Sequence, residues 1–193
     1  LNSEVFDNDA EIVNFNKSYR TTAEIMNVAD DVAESIGLNR SDLVVRHGNN
    51  VSFHQVDPQD NLNYIKNKIE EFKSKGHKRI AIISKTEEQS QELNNKLKSV
   101  NLNIPNISLA DDLSFEEFDI CTISNQLAKG LEFDAVIINN VDEYNYSSDS
   151  DLDMKLLYVA ITRALHDLDI VYTDELTKPL NKTKAKQRTK IIN

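Results

Sequence analysis

Arg79-Ile80-Ala81-Ile82-Ile83-Ser84 is a short apolar run with basic residues, Lys78-Arg79 and Lys85, at its two ends. A parallel strand covered on both faces reads this way, because neither row of alternating side chains meets water. Outward from it, the spacing becomes helical on both sides. Upstream, Leu62, Ile65, Ile69 and Phe72 share one helix face, and Gly76 ends it. Downstream, Thr86 and Gln89 have capping-box spacing and open a helix with Leu93 and Leu97 inside. Residues 51–56 alternate like a strand and stop at Asp57-Pro58, while 118–123, 135–141 and 168–172 read as further strands. Residues 152–165 read as a helix. Near the start, Thr21 and Glu24 again have capping-box spacing; Ile25, Val28, Ala29, Val32 and Ile36 share a face, and Gly37 supplies the stop. Helices alternating with short apolar strands predict an α/β fold, a parallel sheet with helices on both faces in three layers. One domain is expected over residues 1–177, with an exposed loop at 142–153 and a basic, flexible tail at 178–193.

At 193 residues and 22.0 kDa the chain can bury a full hydrophobic core. Its 39% hydrophobic and 28% charged residues argue against disorder. No apolar run approaches the roughly 20 residues of a membrane span, so no membrane partner is expected. The start, Leu1-Asn2-Ser3-Glu4-Val5, has neither an initiator Met nor a secretion pattern and reads as a cut inside a longer protein. Cys121 alone permits no internal disulfide and suits a reducing, cytoplasmic setting. The net charge is −10, and it is uneven. Six of the 22 basic residues lie in the tail from Lys178, which has no acidic residue, so the body sets 16 basic against 32 acidic side chains. Such a body is a poor electrostatic footprint for free nucleic acid.

Several chemistries are excluded by what is missing. A phosphate-cradling loop needs clustered glycines, and the four here (Gly37, Gly48, Gly76, Gly130) are scattered. His47, His54, His77 and His166 lack zinc-ligand spacing, and no Ser sits in a nucleophile elbow. The strand-like 136–141 followed by Asp142-Glu143 imitates a magnesium-binding acidic pair, but no phosphate loop lies upstream for it to serve. No metal site is expected.

Three segments carry positive information: Asn16-Lys17-Ser18-Tyr19-Arg20-Thr21-Thr22, Ala128-Lys129-Gly130-Leu131-Glu132-Phe133-Asp134, and Leu157-Tyr158-Val159-Ala160-Ile161-Thr162-Arg163-Ala164. In this order they resemble the last three nucleotide- and DNA-contacting motifs of UvrD/Rep-type superfamily 1 helicases. The resemblance implies a C-terminal RecA-like domain, one half of a two-part ATP motor, whose other half holds the phosphate loop and magnesium. It implies that Arg20 and Arg163 reach the γ-phosphate, a task that suits a planar, permanently charged guanidinium. Tyr19 would pack on the adenine, Glu132 would lie near the ribose hydroxyls, Gly130 would permit a positive φ or a close approach, and Lys129 would face a phosphate or Glu132. Ser124, Asn125 and Gln126 correspond to the part that touches single-stranded DNA, although Gln126 stands where a His is usual. The implied cofactors are ATP and Mg2+, held mainly by the missing half, so the isolated chain is expected to be inactive.

The spellings around Arg20, Lys129 and Arg163 look most like the HelD branch, which is associated with recycling RNA polymerase. The Arg20-to-Lys129 interval also leaves no room for the large extra domain of ordinary UvrD-type members. The implied partners are an N-terminal P-loop domain of the same protein, single-stranded DNA and, in this branch, RNA polymerase. The rival expectation is a non-catalytic docking module, favoured by the acidic body.

Overall fold

The computed structural model describes residues 21–40, 46–108 and 119–185. In chain order the elements are α1 (Ala23–Ser35), β1 (Ser52–Gln55), α2 (Asn61–Ser74), β2 (Ile80–Ser84), α3 (Glu87–Leu97), β3 (Asn106–Ile107), β4 (Ile120–Ser124), α4 (Asn125–Ala128), β5 (Phe133–Ile138), α5 (Asp151–Ile161) and β6 (Ala164–Tyr172). The six strands form one parallel sheet in the order β1-β6-β5-β2-β4-β3. The run that opened the sequence reading is β2, buried at every residue, with Ile82 opposite Thr122 on one side and Ile137 on the other. One face of the sheet packs against α1 and α5 through Ile25, Val28, Val32, Met154, Leu157 and Ile161. The other packs against α2 and α3 through Ile65, Ile69, Phe72, Leu93 and Leu97. The expected three-layer α/β fold is the one the chain adopts.

Local signals hold where a side chain closes its own turn. Thr86 and Gln89 make the reciprocal capping box of α3, and Gly37 follows α1 at φ +75°. At α1 the cap is Thr22 rather than Thr21: Thr22 Oγ1 accepts from the Ile25 N–H at 3.4 Å, and Glu24 instead accepts from Gly48 N–H. Thr21 is thereby released for a long-range bond, described below.

Three other expectations are corrected. The 152–165 helix ends at Ile161, and β6 starts at Ala164, because pairing with β5 captures residues whose apolar spacing also suited another helical turn. The 135–141 strand is shifted toward its start, to Phe133–Ile138, and Asn140 at φ 57° turns the chain out of the sheet. The segment after Thr177 does not leave the body at once. A 3-10 turn, Lys178–Leu180, buries Leu180 completely, Thr183 donates to Asp31 of α1, and Lys184 lies 4.6 Å over the Tyr172 ring. Pro179 and Leu180 give this lysine-rich string its apolar anchor. Residues 186–193 of the expected tail lie outside the described residues.

Candidate functional site

Thr162 and Arg163 form the turn between α5 and β6, at the N-terminal edge of the sheet. The half-buried Arg163 guanidinium donates through Nε to the Val159 carbonyl (3.0 Å), through Nη1 to the Leu131 carbonyl (3.1 Å) and through Nη2 to Thr162 Oγ1 (3.2 Å). The 129–132 segment that supplies Leu131 leads into β5, whose Phe133 N–H donates to the Arg163 carbonyl at 3.0 Å. Gly130 sits at φ +89°, and open space surrounds the place a Cβ would take, so its glycine serves the turn's left-handed backbone rather than a close approach. Lys129 and Gly130 are exposed, and Glu132 is half-buried beside them.

Thr21 joins this edge from far away in sequence. Its hydroxyl donates to the Ala164 carbonyl at 2.8 Å, fully buried. Tyr19 and Arg20 lie outside the described residues, but the residue that follows Arg20 is thus bonded to the residue that follows Arg163. The structure therefore gathers Lys129, Gly130, Glu132 and Arg163 at the starts of β5 and β6, with α1 entering at the same place.

The opposite edge, at the strands' C-terminal ends, carries the residues expected to meet a DNA strand. Here the outcome is uneven. Gln126 is exposed, but Ser124 and Asn125 are buried, and Asn125 Nδ2 donates to the Leu156 carbonyl at 2.7 Å, tying α4 to α5. As placed, those two side chains brace the interior instead of facing outward. Lys85, at the end of β2, is held by Asp153 (2.7 Å) and donates to the Asn145 carbonyl (2.5 Å). The pair after β5 is used locally: Asp142 accepts from Asn145, and Glu143 accepts from Ser148 and the Lys178 N–H.

One cluster escaped the sequence reading. Arg46, His47, Lys75, His77, His166 and Asp167 line a cavity of about 330 Å³ on the N-terminal edge. They come from three separate stretches of chain, so no motif spacing could announce them. Burial would raise the Asp167 carboxyl, but hydrogen bonds from His77 and Asn49 and the nearby Lys75 charge hold it below its ordinary value. Burial and the Arg46 charge lower His166. Cys121, by contrast, is an inert core thiol, pushed up to about 12 by burial.

The parallel three-layer sheet defines an α/β domain, and its likeness to a helicase C-terminal domain of known structure makes it RecA-like. Residues 119–171 match the UvrD-like helicase C-terminal domain family, a span that includes Gln126, Lys129, Gly130, Glu132 and Arg163. Among solved structures the chain is similar to the C-terminal domain of a possible DNA helicase from Lactobacillus plantarum, at 26% identity and TM-score 0.69, covering 86% of this chain and 94% of that one. A further match, at 14% identity and TM-score 0.42, is the C-terminal domain of the DEAD-box protein Dbp5, covering 73% of this chain and 83% of that one. No curated protein matches the chain significantly.

Proposed function

We propose that the chain is the second motor domain of an ATP-dependent helicase or translocase of the UvrD-like kind, working with a P-loop domain. The observation that carries this reading is the meeting of distant segments at one sheet edge, where Thr21 bonds to Ala164 and Arg163 bonds to Leu131. The donor set fits a nucleotide: guanidinium and ammonium for phosphate oxygens, a half-buried carboxylate for ribose hydroxyls. When bound, ATP with Mg2+ would supply the phosphoryl group that is transferred. Arg163 and Arg20 would offset the negative charge that develops on it, Tyr19 would stack on the base, and Lys129 and Glu132 would orient phosphate and ribose. Arg163 would have to give up the Leu131 carbonyl to do this, while its Val159 and Thr162 contacts belong to its own turn. Gln126 is the side chain left to meet single-stranded DNA at the opposite edge.

The test is ATP turnover in a preparation that joins this chain with its P-loop domain, comparing wild type, Arg163→Ala and Arg20→Ala. Turnover that either substitution abolishes is expected; turnover indifferent to both would sink the reading. The chain alone should release phosphate at background rate. The finer placement in the HelD branch rests on the short Arg20-to-Lys129 interval, and RNA polymerase enters as a partner only with that branch. A second reading, a docking module without catalysis, is favoured by the acid-rich C-terminal edge and predicts no ATP turnover in the joined preparation.

A further inference from the structure

The cavity of about 330 Å³ that Arg46, His47, Lys75, His77, His166 and Asp167 line gathers five cationic or protonatable side chains around one carboxylate. In a chain with 32 acidic and 22 basic residues this local balance is inverted. The simplest account is that the cations merely neutralise Asp167, and for two of the five, Lys75 and His77, it holds. Asp167 takes Asn49 Nδ2 at 3.0 Å, Lys75 Nζ at 3.3 Å and His77 Nε2 at 2.5 Å.

Arg46 and His166 are not accounted for in that way. Arg46 Nη2 donates to the Leu165 carbonyl and lies 2.7 Å from His166 Nδ1. His166 in turn stacks on His77, with ring centroids 5.7 Å apart and planes at 19°. An imidazole whose Nδ1 accepts from a guanidinium must be neutral, with its proton on Nε2. A second imidazole against its face adds to that constraint. Arg46, His166 and His77 are thus packed in contact, with His166 as the neutral acceptor between a guanidinium and a second imidazole. An anion in the cavity would favour protonation of His166 and free the Arg46 guanidinium to turn toward it.

We propose that this cavity is a binding site for a terminal phosphate group, gripped by Arg46 and His166 and flanked by Lys75 and His77. A terminal phosphate suits it better than a singly charged internal phosphodiester, because it can carry a second charge to share among the guanidinium, ammonium and imidazole groups that line one cavity. The site is built rather than incidental. Gly48, beside Arg46, packs so closely on Thr22 that a Cβ there would overlap the Thr22 methyl, and its N–H donates to Glu24 Oε2 at 2.7 Å. Binding takes up a proton and is therefore pH-dependent. The charged groups facing His166 are Arg46 from the α1–β1 connection, His77 from the α2–β2 turn, Asp134 from β5 and its own neighbour Asp167. His47 is engaged by Glu24 at 3.0 Å and lies at the rim. The proposal does not depend on the role given to Arg163.

The test is an NMR titration of the histidine side chains of this chain with inorganic pyrophosphate at pH 5.5 and 7.5. Saturable shifts at His166 and His77 are expected, with the His166 midpoint rising by about one pH unit on binding. Arg46→Gln should weaken binding about tenfold or more while the amide spectrum stays folded. An unphosphorylated oligonucleotide should not compete. Any of three results would overturn the proposal: a His166 midpoint unmoved by pyrophosphate, equal affinity in a folded Arg46→Gln variant, or shifts confined to His47. Equal binding of the unphosphorylated oligonucleotide would overturn the terminal-phosphate class. The wild-type midpoint decides the matter even if the variant does not fold.

Discussion

Gly48 does not need glycine for a left-handed backbone; it needs it because a Cβ would overlap Thr22 Cγ2, the cap of α1. Gly48→Ala should therefore push two anchored segments apart and destabilise the fold by about 1–3 kcal/mol, as overpacking does; urea unfolding checks it. Thr22→Ala should cost about 1 kcal/mol through the lost cap. Thr21→Ala instead removes the Ala164 bond and should lower nucleotide-dependent activity more than its modest effect on stability would suggest. The sequence could not separate these adjacent threonines, since both precede the same apolar face and only tertiary pairing decides which one caps. The segment that carries Arg163 is one contiguous string, and on the proposed function Arg163→Ala should cost about 10³-fold or more in turnover of the joined motor. Arg46, His77 and His166 were not legible, because their neighbourhood exists only after folding.

At the scale of elements, legibility follows how locally each boundary is determined. The α3 capping box closes within four residues and was readable in full. The end of α5 is set by the partner strand: Phe133 pairs with Ala164, and the register shifts before Ala135 meets Asp167. Leu165 continues the four-residue spacing of Leu157 and Ile161 but lies in β6, so the helical spacing misleads at that one residue. Two-residue β3 offers too little pattern to be read at all. The segment after Thr177 shows the same limit from the other side, since its lysines suggest solvent while Leu180 is fully buried against α1. Leu180→Ala should accordingly destabilise by about 2–5 kcal/mol, the range for emptying a buried leucine site. A freely moving tail would leave the unfolding midpoint unchanged, so a thermal melt distinguishes the two descriptions.

For the molecule as a whole, charge is distributed by sheet edge. The strand starts carry Lys75, Lys78, Arg79, Lys129 and Arg163 beside Asp119, Glu132 and Asp134, whereas the strand ends carry Asp57, Asp60, Asp142, Glu143, Asp174 and Glu175. Lys85, the basic residue at the end of β2, is already paired with Asp153. Glu24, Asp134, Glu143 and Asp167 all lie below their ordinary values: burial raises each, but hydrogen bonds lower it further. Depressed carboxylates stabilise the fold above their unfolded values, near 4, and that stability is lost as pH falls through the folded ones. The melting temperature should therefore decline modestly below about pH 6.5, where the lowered His166 costs stability, and fall steeply from about pH 5 toward pH 3. The same polarity bears on nucleic acid. Affinity for a strand comes mainly from cations that neutralise phosphates, and the edge bearing Gln126 has acidic groups in excess. The isolated chain should then show no saturable binding of single-stranded DNA below about 100 µM at about 0.15 M salt, measured by fluorescence anisotropy, and little dependence on salt. Micromolar binding with a steep salt slope would mean that several phosphates are being neutralised. The strand would then have to follow the basic N-terminal edge, in competition with the nucleotide proposed to bind there, and the proposed division of labour between the two edges would be wrong.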